Sequence, residues 1–289
     1  MPVNINTKMI TLLGKPLSQS YAARMQNAAY RAAGINMLYF YTEVENDHLP
    51  DVINGIRYMN FAGFAVTKPN KVEVMKYVDE VDPLCEKMNA SNTVVLKNGR
   101  LKAYNTDGIG FFRSLKEEAP EIEISESTFF CLGAGGAARA ICSVLAYNGA
   151  KKIYIASRTL SRVKELVNDI NEKFAPIAEL VDIQDLELMK KRIAESEVIM
   201  NNTGLGMHVS MDKTPIPKEY LRIGQLCFDA TYNPSKTRFL IEAEQVGCKI
   251  MNGMGMSLYQ GAAQIELWSG VDAPTEAMRQ ELLDILSEK

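Results

Sequence analysis

Residues 128–162 read TFFCLGAGGAARAICSVLAYNGAKKIYIASRTLSR. TFFCL (128–132) is an apolar strand that runs straight into a glycine-rich turn. RAICSVLAYNG (139–149) follows as a helix and KKIYIAS (151–157) as a second strand. The turn, Gly133-Ala134-Gly135-Gly136-Ala137-Ala138, fits G-x-G-x-x-[GA] with Gly133, Gly135 and Ala138 at the key positions. The first glycine permits a tight exit from the strand, and the second lets a pyrophosphate approach the backbone. Small Ala138 sets the helix close to the sheet. A phosphate then rests on free N–H groups at the helix N-terminus. Glycine-rich turns can also serve only to pack helices on sheets. The strand before and the helix after are the context that favours dinucleotide binding.

The end of the second strand separates the cofactors. A site for NAD or S-adenosylmethionine places an acid near 156–157 to hold the ribose hydroxyls. This chain has Ala156 and Ser157, then Arg158, Thr159 and Arg162. An acid there repels a 2′-phosphate, whereas arginine offers a permanently charged, bidentate fork. The reading is NADP, with NAD as the alternative, and a methyltransferase is disfavoured. Basic residues on a solvated helix start are the plainer explanation. Against it, positive charge in a first helical turn opposes the helix dipole and so needs another purpose.

Working outward, 159–174 continues as a helix, and EVIMNN (197–202), QLCFDATY (225–232) and CKIMN (248–252) are further short strands. Strands alternating with helices of this length predict a parallel sheet with right-handed crossovers. On the N-terminal side, 20–34 reads as a helix capped by Gly34, 35–44 as a strand, 49–60 as a helix and 61–67 as a buried strand. Residues 90–107 read as two strands joined at Asn98-Gly99, a strong hairpin signal. GIGFFRSLKEEA (108–119) and two tail segments, 255–270 and 275–289, read as helices. The expected fold is α/β in two regions, one ending near residue 107 and a second, with the parallel dinucleotide-binding sheet, starting near Gly108.

Composition narrows the class. The 289 residues carry a net charge of −3, 47% hydrophobic and 23% charged residues, a globular balance with no electrostatic pull toward nucleic acid or an anionic membrane. No apolar run reaches the length of a membrane span. The N-terminus lacks the basic-then-apolar layout of a cleaved signal peptide. Five cysteines, at 85, 131, 142, 227 and 248, form no CxxC pair, a reduced and cytoplasmic pattern. The two histidines, His48 and His208, lack a second ligand nearby in sequence, which argues against a zinc site or a histidine-based triad and leaves them to structure or surface.

Three polar clusters close apolar strands in the first half: Thr67-Lys68-Pro69-Asn70-Lys71, Ser91-Asn92-Thr93 and Asn105-Thr106-Asp107. Strand ends can converge on a crevice, but Asn and Asp at turns also cap backbone, and periodicity does not choose between the two.

GKPLSQS, TKPNK, SNTVV, YNTDGIG, LGAGGAARA, SRTLSR, YNP and GMGMSLYQGA occur in the order seen in the shikimate dehydrogenase family, which the chain resembles over nearly its whole length. RMQN, KPNK and AYNTDGIG make it similar to the quinate/shikimate branch. The resemblance implies a reversible, NADP-dependent reduction of 3-dehydroshikimate to shikimate in aromatic amino acid biosynthesis. It implies a substrate domain over 1–107 completed by the C-terminal helices of 253–289, a Rossmann domain over 108–252, and an active site in the cleft between the two. By position, Lys71 is the acid/base and Asp107 pairs with it while binding a substrate hydroxyl. Asn92, Thr67, Gln260 and Ser20 contact substrate, and Tyr232 borders substrate and nicotinamide. Cofactor contacts fall on Gly133, Ala134, Gly135, Gly136, Ala137, Ser157, Arg158, Thr159, Arg162, Thr203, Gly253 and Met256. Met207, Met254 and Met256 pack on the nicotinamide or simply fill core. The partner is a small cyclic hydroxy acid, and a homodimer is the assembly the resemblance leaves open. A neighbouring carboxylate favours the lysine ammonium and burial favours the amine, two opposed pulls.

The chain departs from the family's S-x-S-P, whose serines hold the substrate carboxylate. Ser20 takes the first position, but Ala22 and Ala23 replace the second serine and the proline. Losing one hydrogen bond to a charged group costs about 1.5–3 kcal/mol. Ser18, Tyr21 or Lys68 could compensate; otherwise the change marks a paralogue for quinate, an aminated analogue or another cyclic polyol. A non-enzymatic nucleotide-binding regulator is the reading from another class. Asn89 stands where the family has glycine, and Ser157 where asparagine is common.

Overall fold

The computed structural model describes residues 3–18, 20–207 and 210–288. His208 lies outside the described residues. The chain divides into two compact units, Met1–Gly110 with Leu258–Lys289, and Phe111–Ser257.

The first unit begins β1 (Lys8–Gly14), α1 (Ala22–Ala32), β2 (Met37–Glu43), α2 (Leu49–Tyr58) and β3 (Phe61–Val66). It continues through β4 (Glu80–Val81), α3 (Pro83–Met88), β5 (Thr93–Lys97) and β6 (Arg100–Tyr104) into α4 (Asp107–Glu118). Its mixed sheet has the order β2-β1-β3-β5-β6-β4. β1 runs parallel to both β2 and β3, and five successive residues of it are buried. That is the continuous apolar signature of a strand covered on both faces. The sequence reading did not include it, because without alternation a run this short has no period to detect. The hairpin forms as expected: Asn98 (φ 53°) and Gly99 (φ 76°) both take the left-handed conformation that a two-residue turn requires. Asn89, the C-cap of α3, is also left-handed (φ 50°), a conformation asparagine tolerates where glycine is usual.

β2 is an edge strand, and α1 guards it. The Asn27 side chain donates to Tyr39 O (2.8 Å) and accepts from Tyr39 N (2.9 Å), pairing both backbone groups that β1 does not use.

The second unit contains β7 (Thr128–Leu132), α5 (Gly136–Tyr147), β8 (Lys152–Ala156), α6 (Leu160–Lys173), β9 (Ala178–Leu180) and α7 (Leu186–Ala194). β10 (Val198–Asn201), β11 (Leu226–Asp229), α8 (Arg238–Val246) and β12 (Lys249–Asn252) complete its sheet. All neighbours are parallel, in the order β12-β11-β10-β7-β8-β9. This is the doubly wound dinucleotide-binding order, with the switch point between β7 and β10. The expected Rossmann sheet is therefore present, and the glycine-rich turn leaves β7 at that switch point. β9, α7 and α8 are additions to the sequence reading.

α9 (Met254–Ser269) and α10 (Thr275–Ser287) follow, and from Leu258 onward they belong to the first unit. Arg24 of α1 binds Glu281 of α10 and, bidentately, Glu288 at the C-cap of that helix. Trp268 donates from Nε1 to Val94 O (3.0 Å) over Gly63, where a Cβ would stand 2.2 Å from Val94 O and 2.6 Å from Trp268 Nε1. Among the described residues no helix is long and apolar enough to cross a membrane, and no cluster of His, Cys, Asp and Glu could hold a metal. All five cysteines are free and buried.

Gly63→Ala must displace Trp268 or open the β3–β5 ladder. The expected cost is about 1–3 kcal/mol, read as a lowered urea midpoint with loss of the Trp268 fluorescence signature; an unchanged midpoint would show that α9 yields freely there.

Candidate active site

The three polar clusters meet, and they divide the work between backbone ties and chemistry. Asn70 is fully buried and donates to Val44 O (2.9 Å), pinning the turn that presents Lys71. Lys71 O accepts from Ser91 N (2.8 Å). Asn105 Oδ1 accepts from Asp107 N (3.1 Å) at the start of α4, while its Nδ2 donates to Ala90 O. Ser91 Oγ donates to backbone carbonyls of Thr93 and Tyr104. Asn70, Ser91 and Asn105 are thus ties, as turn residues often are. Lys71, Asn92 and Asp107 remain.

Lys71 Nζ donates to Asp107 Oδ2 at 2.6 Å, with side chains 26% and 17% exposed, open enough for a ligand to reach. Asn92 is buried and donates from Nδ2 to Asp107 Oδ1 (2.8 Å) and Thr106 Oγ1 (2.9 Å), with Gln260 Oε1 at 3.4 Å. Its Oδ1 accepts from Thr106 N (2.8 Å), a backbone donor that fixes which way the amide faces. Thr67 is half-buried beside Gly14, where a Cβ would come within 2.4 Å of Thr67 Cγ2; only glycine lets the two strand ends come so close.

Ser20 is half-buried, and its Oγ accepts from Ala22 N (3.3 Å). The stretch around Ala22 is held by a residue the sequence reading missed. Tyr41 Oη donates to Ser20 O (2.7 Å) and accepts from Ala23 N (3.0 Å). Tyr41 alternates with buried Tyr39 along β2, which marks it only as a strand residue. Ser18 and Lys68 are exposed and Tyr21 is half-buried.

In the second unit, Gly133 (φ 110°) makes the turn out of β7, and a Cβ on it would lie 2.8 Å from Asn202 O. Gly135 and Gly136 are exposed, and a Cβ on either would meet nothing within 4 Å. Ala134 and Ala137 are half-buried, and Ala138 is fully buried. Gly135 caps α5 without a side-chain bond. Past β8, Ser157 is half-buried and Arg158, Thr159 and Arg162 are exposed. Neither arginine has an ion-pair partner among the described residues. Open glycines and two unengaged guanidinium groups fit a nucleotide carrying an additional phosphate.

The loops after β10 and β11 are tied to one buried carboxylate, and the turn after β12 is tied to the second of them. Asp229 Oδ2 accepts from Asn201 Nδ2 (2.8 Å) and Thr237 Oγ1 (2.7 Å), and Oδ1 accepts from Thr231 N (2.9 Å). Asn201 Oδ1 in turn accepts from Thr203 Oγ1 (2.6 Å), and Gly206 packs on Thr237. Gly253 N donates to Thr231 O (3.1 Å), and a Cβ on Gly253 would stand 2.0 Å from Ala230 O. Thr203 is exposed, and Tyr232 and Met256 are half-buried. His48 is exposed at the start of α2, in the first unit.

Known proteins share these outlines. Residues 12–94 match the shikimate dehydrogenase substrate binding domain, 115–214 the shikimate/quinate 5-dehydrogenase family, and 253–283 the shikimate 5'-dehydrogenase C-terminal domain. A shikimate dehydrogenase (NADP(+)) of Desulforamulus reducens is 39% identical over 281 residues, covering 97% of this chain and 96% of its own. The chain belongs to the shikimate dehydrogenase family. The crystal structure of the Listeria monocytogenes shikimate 5-dehydrogenase, in complex with shikimate and NAD, superposes with a TM-score of 0.94 at 37% identity, covering 98% of each chain. A quinate dehydrogenase of Corynebacterium glutamicum in complex with NAD gives 0.90 at 26% identity, covering 96% of this chain and 99% of that one.

For this family member, Asp229 offers a pH test. Burial pushes its carboxyl above the usual aspartate range, and its hydrogen-bond donors only partly offset that. The unfolded chain releases this proton near pH ~3.9 and the folded chain at higher pH. In that window the folded state binds more protons, so stability falls as pH rises through it. Urea unfolding from about pH 4 to about pH 7 should show the wild type losing stability relative to Asp229→Asn; parallel curves would place the carboxyl at an ordinary value.

Proposed function

We propose that this chain is an NADP-dependent oxidoreductase that interconverts 3-dehydroshikimate and shikimate, with Lys71 and Asp107 as its acid–base pair. The supporting observation is the Lys71–Asp107 contact at 2.6 Å, with the Asn92 amide on the second carboxylate oxygen and Gln260 beside it. An ammonium, a carboxylate and two amides within one pocket wall suit a ring carrying vicinal hydroxyls.

The chemistry needs a hydride on carbon and a proton on oxygen. NADPH, when bound, supplies the hydride. Lys71 as ammonium polarises the ketone oxygen and donates the proton; as amine it accepts that proton in the reverse oxidation. Asp107 holds the lysine in reach and accepts from a neighbouring hydroxyl. Asn92 and Gln260 bind further ring hydroxyls, Thr67 contacts the ring, and Ser20 binds the carboxylate. Gly133 to Ala137 cradle the pyrophosphate, Ser157, Arg158, Thr159 and Arg162 take the 2′-phosphate end, and Thr203, Tyr232, Gly253 and Met256 border the nicotinamide.

Ala22 favours one second reading, in which the same chemistry serves quinate or another cyclic polyol. It removes a hydroxyl from the carboxylate subsite, and the Tyr41 clamp engages backbone rather than restoring that donor.

Initial-rate oxidation of shikimate and quinate, each with NADP and NAD, decides the substrate. Turnover of shikimate with NADP is expected, and Lys71→Met should lower kcat by about 10²–10⁴-fold with NADP affinity intact. A chain that binds NADP but oxidises neither acid would instead be a regulator or a polyol-specific paralogue. Arg158→Ala should raise the NADP KM roughly 10- to 100-fold and leave the NAD KM in place; equal effects on both would remove the 2′-phosphate role.

A further inference from the structure

A run of buried amides leads away from the site. Gln260 and Gln264 are one turn apart on α9, so both face the same way. Gln264, 3% exposed, donates from Nε2 to Thr93 Oγ1 (3.0 Å) and to Asn92 O (3.3 Å). Gln26 of α1, fully buried, donates from Nε2 to Gln264 Oε1 (3.1 Å) and to Gly261 O (3.1 Å). Thr93 Oγ1 donates in turn to Asn92 Oδ1 (2.8 Å), and Asn92 donates to Asp107.

Every bond in this chain points one way, from Gln26 through Gln264, Thr93 and Asn92 to the carboxylate. At its head, Gln26 Oε1 is buried with no hydrogen-bond partner among the described residues. The same amides fix distances. Gly261 lies so close to α1 that a Cβ on it would stand 2.5 Å from Met25 Cε and 3.3 Å from Gln26 Nε2. Gln26 therefore grips the backbone directly after Gln260, while Gln264 grips the backbone of Asn92.

We propose that Gln26 and Gln264 are positioning residues that hold Gln260 and Asn92 in register with Asp107, setting the hydroxyl-reading wall of the substrate subsite. Neither touches the ligand; both act through residues that do. This inference rests on the shikimate reading of that site.

The test is steady-state oxidation of shikimate with NADP by the full chain carrying Gln26→Met or Gln264→Met, with Lys71→Met run alongside. Methionine keeps the volume and removes the donor. Gln26→Met also removes the undonated Oε1, which offsets part of the lost bonding, so it is expected to be the milder of the two for folding. The expected result is a shikimate KM raised on the order of tenfold in each variant, with the NADP KM unmoved. The double variant is expected to raise the shikimate KM by less than the product of the two single effects, because the two amides share one bond. A merely structural role would shrink the active fraction, lowering kcat and leaving KM where it was. A shikimate KM within about twofold of wild type in both glutamine variants, with turnover lost in Lys71→Met, overturns the positioning role alone. Full turnover in Lys71→Met overturns the functional reading, and the positioning role with it.

Discussion

An ionised carboxylate accepts hydrogen bonds and donates none, and in the first unit that rule orders everything near Asp107. One oxygen takes the Lys71 ammonium and the other takes the Asn92 amide, so Asn92 must present nitrogen. The Thr106 backbone N–H enforces the same orientation from the opposite side. Two independent donors and one acceptor-only group leave the amide a single solution. The lysine and the amide are thereby oriented before any ligand arrives, which is the preorganisation that catalysis by positioning requires.

The second unit solves a similar problem with a carboxylate that takes no ion-pair partner among the described residues. Asp229 gathers donors from the end of β10, the backbone beyond β11 and the N-cap of α8. Burying an unpaired carboxylate is costly. Its raised proton affinity is the mark of that cost, and the return is a common anchor for the connections after β10 and β11. The glycines there matter chiefly for what they admit: Gly133 and Gly253 each let a neighbouring backbone come nearer than any side chain allows.

Much of this was legible in the sequence, for physical reasons that differ by element. The Asn98-Gly99 hairpin and the strand–GAGGAA–helix unit announce themselves because only a few residues tolerate those backbone shapes. β1 did not, since it is apolar on both faces and too short to show a period. β9, α7 and α8 were likewise absent, although their place in the sheet order follows once the Rossmann topology is granted. For the site, the clusters around Lys71, Asn92 and Asp107 stood out, but which member of each was a tie depended on partners far along the chain. Asn70 answers to Val44, and Asn105 to Ala90. Tyr41 and Gln26 were hidden for the same reason. Gln264 had a signal available, a second glutamine one turn beyond Gln260 on a mostly apolar helix, and it is read only when the helix face is drawn.

Asn27 bears on how the protein meets other chains. An edge strand offers a ladder of unpaired backbone groups to any extended segment in solution. At Tyr39, in the middle of β2, one side-chain amide imitates a further strand by supplying a donor and an acceptor at once. The remaining sheet ends, β4, β9 and β12, are two to four residues long. An incoming strand must therefore either evict Asn27 from its bonds to the edge or settle for a ladder too short to hold. The middle of β2 is closed to templated growth by a single residue borrowed from a helix.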